Sequence, residues 1–117
     1  MELTKEVLTE IVKSLRSNAR AGVEKRGQPR VGMRLKIHML RRPFLDKPIC
    51  IWVRDVSAGG IGALCDQTFE PKENIKLVFA DADADPVPCT VTYCRRVGAS
   101  QFQIGLKFDA EADAVFA

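Results

Sequence analysis

Residues 31–65 read VGMRLKIHMLRRPFLDKPICIWVRDVSAGGIGALC, and their spacing decides the fold. Met33, Leu35, Ile37 and Met39 alternate with Arg34, Lys36, His38 and Leu40. A period of two puts one set on each face of an extended strand, so this segment is half-buried. RRPFLDKP at 41–48 reads as a turn, after which Ile49, Ile51 and Val53 alternate with Cys50, Trp52 and Arg54. A Gly59-Gly60 pair then separates this second strand from a third at 61–65.

Three more strands lie downstream. Residues 75–79 follow PKEN, 89–97 follow DADADPVP, and Phe102, Ile104, Leu106 and Phe108 share one face of a sixth. Six short strands with polar, Gly- or Pro-bearing connections predict a mainly-β antiparallel barrel or sandwich. Upstream, Leu3, Val7, Leu8, Ile11, Val12 and Leu15 recur at the spacing of one helix face. Glu2 and Glu6 near its start and Arg16 and Arg20 near its end suit the helix dipole, and Gly22 is a natural stop. The chain thus divides into an N-terminal amphipathic helix, 1–22, and a barrel domain, 23–117. The closing DAEADAVFA predicts a short C-terminal helical turn. The helix is too short to stand alone. Its stripe packs on its own domain in the first reading and forms a homodimer in the second.

At 117 residues the chain holds one domain, and 46% hydrophobic with 28% charged residues excludes a disordered tail. No apolar run nears the ~20 residues that span a membrane. MELTKEVLTE is acidic and periodic, unlike a signal peptide. A cytoplasmic location is expected, with Cys50, Cys65, Cys89 and Cys94 reduced and mostly buried.

The net charge of +3 hides an asymmetry. Residues 1–54 carry 13 Lys and Arg against 5 Asp and Glu, whereas 55–117 carry 5 against 10. Between Arg16 and Arg42 nine basic residues face only Glu24. Such a cluster points to an anionic partner.

Two motifs refine that partner. Arg26-Gly-Gln-Pro-Arg30 joins the helix to the first strand, and Asp55-Val-Ser57-Ala-Gly59-Gly60 closes the second. Glycine there suits a tight turn with positive φ. Arginine offers a planar fork for phosphates and for the O6/N7 edge of guanine. A carboxylate beside a hydroxyl accepts from guanine's N1–H and N2–H₂ edge. Two arginines opposite an Asp-Ser turn therefore fit an anionic guanine nucleotide.

This pair of motifs, on this strand pattern, resembles the PilZ domain family, whose members bind cyclic di-GMP. Ile104-Gly105-Leu106-Lys107-Phe108 also resembles the Gly-x-x-Phe of that family's last strand. The resemblance covers residues 24 to about 110 and implies a six-stranded antiparallel barrel. It implies that Arg26 and Arg30 hold phosphates and guanine Hoogsteen edges, that Asp55 and Ser57 read a guanine edge, and that Gly59 and Gly60 form the turn. Lys25 stands where many relatives have a further arginine, which keeps the charge but removes a fork. Ligand closing the segment around Gly27 would shift the adjoining helix.

The expected function is a non-catalytic cyclic di-GMP receptor whose output passes through an unidentified effector protein. No other cofactor and no membrane is implied. The alternatives are a nucleotide-independent adaptor and, more weakly, a single-stranded nucleic-acid-binding barrel. The basic half has only Phe44 and Trp52 as aromatics, and nucleic-acid grooves need interleaved stacking platforms. Trp52 shares a strand face with Cys50 and Arg54, so it is expected to be partly exposed or to cover the barrel's end, with a core or helix-packing role favoured over base stacking. Arg41-Arg42 and Arg95-Arg96 read as solvated strand ends. Asp81-Ala-Asp83-Ala-Asp85 mimics a calcium loop, but Pro86 and Thr92 stand where glycine and glutamate are needed, so it reads as solvated. There is no CxxC for zinc, and Cys89 and Cys94 fall on opposite faces of a regular strand. Ser57 has no base beside it, and no enzyme is indicated.

Overall fold

The computed structural model describes residues 2–20, 30–41, 44–81 and 84–110. Helix α1, Lys5–Arg20, precedes six strands: β1 Arg30–Arg41, β2 Phe44–Ser57, β3 Gly60–Cys65, β4 Asn74–Val78, β5 Val87–Arg96 and β6 Phe102–Phe108. They close into a barrel in the order β1-β2-β3-β6-β5-β4, with every neighbouring pair antiparallel. Closure removes the sheet edges that would otherwise pair with other chains.

The alternation read from the sequence is what fills the barrel. Ile37 and Met39 of β1, Ile51 and Val53 of β2, Leu77 of β4 and Ile104 and Leu106 of β6 are all buried. Leu8, Val12 and Leu15 lie on one face of α1, are also buried, and pack the helix against β2. The helix therefore packs on its own barrel. Two oxygens satisfy its first N–H groups: Thr4 Oγ1 accepts from Val7 N at 3.2 Å and Asp81 Oδ1 accepts from Lys5 N at 3.1 Å.

Several expectations change. The turn expected at 41–48 is mostly strand, because β2 already pairs from Phe44, opposite Arg41. A register irregularity between Met39 and Arg41 accommodates Pro48, which has no N–H for a ladder. Asp81 is not merely solvated; it caps α1. Arg41 is no solvated strand end either. Its guanidinium bonds both carboxylate oxygens of Glu73, at 2.8 and 3.0 Å, donates to Thr68 O at 3.1 Å, and lies 4.2 Å from the Phe69 ring centre. Trp52 is partly exposed, as its shared face with Cys50 and Arg54 implies, and takes no core role: the outward set of β2 leaves it 49% exposed. Cys50 on the same face is exposed, whereas Cys65 and Cys89 are buried. Cys94 joins Cys89 on the inward side, because the register of β5 against β6 slips between Val91 and Tyr93 and reverses the expected parity. Gly22 and the C-terminal turn beyond Ala110 lie outside the described residues.

Candidate functional site

Two β-bulges build the site. On β2 the register against β3 slips between Val53 and Asp55, so that Arg54 and Asp55 both stand away from the core. On β5 the slip between Val91 and Tyr93 does the same for Thr92 and Tyr93. A bulge re-aims side chains at the cost of a ladder bond, and bulges recur beside functional sites for that reason. Between them, Gly62 of β3 pairs with Gly105 of β6. The register runs Asp55–Gly62–Gly105–Tyr93 across four strands, placing a glycine floor between a carboxylate and an exposed ring.

The floor is shaped by its flanks. A Cβ on Gly62 would meet the Asp55 carboxylate at 2.9 Å, and one on Gly105 would overlap the Tyr93 ring. Above it lies a groove of about 270 Å³ whose walls include Arg30, Ser57, Gly59, Gly60, Tyr93 and Lys107.

Arg30 opens β1 opposite Ser57, and its Nη1 donates to Asp55 Oδ1 at 2.6 Å. The two motifs, 25 residues apart, thus meet in one charge-assisted contact. The Arg30 side chain is 61% exposed and that of Asp55 27% exposed, so both still face solvent. Among the described residues this is the one hydrogen bond that the Arg30 side chain makes, leaving most of its five N–H donors for a ligand.

Ser57, expected to read a base edge, is buried, and its hydroxyl donates to Gly60 O at 3.3 Å. In this structure it locks the turn. Gly60 is required for space rather than for a positive φ, since a Cβ there would run into the Leu106 carbonyl of the adjacent strand. Gly59 O accepts from Phe108 N at 2.9 Å, tying the turn to the end of β6. Arg16 Nε of α1 donates to Ala58 O at 3.3 Å, so the helix also reaches this turn. Arg26 and Lys25 lie outside the described residues.

Sequence reasoning misses Gly62, Tyr93 and Thr92, and gives Lys107 no role beyond its place in Gly-x-x-Phe. Nothing local marks them, because the floor exists only once β3, β6 and β5 are in register. Gly105 is legible as part of Gly-x-x-Phe, but its place beneath the groove is not.

The PilZ domain family model matches residues 24–115. None of the curated proteins compared matches the chain. Among solved structures, the inhibitor of motility MotI/DgrA of Bacillus subtilis superposes with a TM-score of 0.55 at 14% identity. That match covers 80% of this chain and 48% of the other, so the chain spans about half the length of the inhibitor. The PilZ domain of YcgR from Escherichia coli, solved with c-di-GMP, gives a TM-score of 0.54 at 13% identity, covering 80% of this chain and 86% of that one.

Proposed function

This chain belongs to the PilZ domain family, a family of c-di-GMP receptor domains, and from that premise we propose that it binds cyclic di-GMP at the glycine-floored groove. The observation that carries the reading is the convergence of Arg30 and Asp55 beside an exposed aromatic ring, over two paired glycines that make room for the Asp55 carboxylate and the Tyr93 ring. A purine stacks on the exposed face of the Tyr93 ring, which itself lies over Gly105. Asp55 Oδ2 and the remaining lone pairs of Oδ1 accept from the guanine N1–H and N2–H₂ edge. Arg30, oriented by Asp55, turns its free N–H groups to a phosphate or to O6/N7. Lys107 adds positive charge on the far wall.

In this reading Ser57, Gly59 and Gly60 act by holding the turn rigid, not by reaching the base. A groove of about 270 Å³ is at the small end of ligand sites. Arg26 completes the Arg-x-x-x-Arg motif with Arg30, and Lys25 adds a further positive charge beside it in the sequence. The role is that of a non-catalytic receptor. Output passes to an effector protein, with the Arg16–Ala58 bond as one route from the site to α1.

The base edge gives a selective test. Cyclic di-AMP has the same phosphates but lacks the N2 amino group and presents no N1–H to a carboxylate. Titrated side by side, cyclic di-GMP should bind at least about 30-fold more tightly, since two unmatched polar contacts at ~1–3 kcal/mol each are at stake. Equal affinities would reject Asp55 as the reader of the base.

A further inference from the structure

We propose that the outer barrel face centred on Trp52 is a docking surface for an acidic protein segment that carries an apolar anchor residue. The proposal supplies the output face of the receptor and rests on that reading for its role, but its physical basis is separate. Trp52 is the chain's one tryptophan, and it stands 49% exposed. The register places it in the row Lys36–Trp52–Leu64–Gln103–Arg95, running parallel to the Asp55–Gly62–Gly105–Tyr93 row of the nucleotide groove. Two hollows meet at its ring. One, of about 760 Å³, is walled by Met33, Arg34, Arg54 and Leu64. The other, of about 570 Å³, continues past Cys50 and Leu64 to Gln101.

The chemistry of the larger hollow selects the partner. Arg34 and Arg54 are exposed and, among the described residues, neither has an ion-pair partner. Two free guanidinium groups beside an aromatic and two aliphatic walls complement a carboxylate next to a bulky apolar side chain. Trp and Arg dominate the energetic centres of protein interfaces, and Met is enriched there. Single-stranded nucleic acid fits less well. It needs successive aromatic platforms, and Trp52 is the single aromatic lining either hollow among the described residues.

Selection of a displayed random-peptide library on the full chain tests this without presuming a sequence. Enriched peptides should combine Asp or Glu with Leu, Phe or Trp. A selected peptide lacking Trp should shift the Trp52 emission to the blue in a saturable manner. Trp52→Ala and Arg34→Glu should each weaken it at least tenfold, while calorimetry shows cyclic di-GMP binding unchanged. Enrichment of basic or uncharged peptides, or none, would overturn the proposal. So would peptides indifferent to both substitutions, or a stronger saturable response to oligothymidylate. Absence of cyclic di-GMP binding in the wild-type chain would count against the receptor reading, and is read independently of the peptide result.

Discussion

A methyl group on Gly60 would strike the Leu106 carbonyl, a backbone atom held in the β3–β6 ladder. The same group on Gly105 would strike the side chains of Tyr93 and Thr92, which are exposed and can swing away. The two glycines therefore separate folding from binding. Gly60→Ala should lower stability by about 1–3 kcal/mol, the usual range for forcing extra volume into a packed site. Gly105→Ala should cost less than about 1 kcal/mol yet weaken cyclic di-GMP at least tenfold, because it displaces the Tyr93 ring that the base stacks on. Urea midpoints and calorimetry on both variants check the pair of outcomes. From sequence, Gly60 is legible as a turn glycine but not as a contact with β6, since its neighbour lies 46 residues ahead. Ser57 is legible as a polar member of a motif. Only the folded turn shows its hydroxyl spent on Gly60 O.

At the scale of elements, strand existence was legible from period-two patterning, and the helix from its apolar stripe. Register was not. The bulges at Val53/Asp55 and Val91/Tyr93 arise from how two strands meet, so they reverse side-chain parity without any local signal. The same limit hid the clamp of Arg41 on Glu73, which joins the end of β1 to the segment before β4. Both partners are largely shielded from water, at 24% and 18% exposure, and the contact is bidentate. Arg41→Ala should destabilise the barrel by about 1.5–3 kcal/mol, above the value of an ordinary surface pair. An effect within about 0.5 kcal/mol in urea unfolding would reduce the clamp to a surface decoration. The Arg16–Ala58 bond makes a separate prediction. Cyclic di-GMP should increase hydrogen-exchange protection in the last turns of α1, and Arg16→Ala should remove that change while binding persists.

For the whole molecule, burial governs how the thiols respond to pH. Burial pushes Cys89 well above the ordinary thiol value of 9.0, and it raises Cys65 as well. A folded-state pKa above the unfolded one contributes stability below about pH 9, and that stability is lost as pH rises further, because the unfolded chain releases protons that the native core retains. Between about pH 8 and about pH 10 the urea midpoint should fall less steeply in Cys89→Ala than in the wild type. Identical slopes would exclude Cys89 from the alkaline limb. Iodoacetamide on the native chain should modify exposed Cys50 first and leave Cys89 untouched.

Charge asymmetry was legible at this scale from composition alone, and Arg30 carries it into the groove beside Asp55. The most direct test is a calorimetric titration of cyclic di-GMP into the wild type and Arg30→Ala, with GTP as control. The account predicts saturable wild-type binding, no comparable response to GTP, and a loss of about 1.5–3 kcal/mol of affinity in the variant with its thermal unfolding unchanged. Absence of binding in the wild type, or full-strength binding in Arg30→Ala, would contradict it.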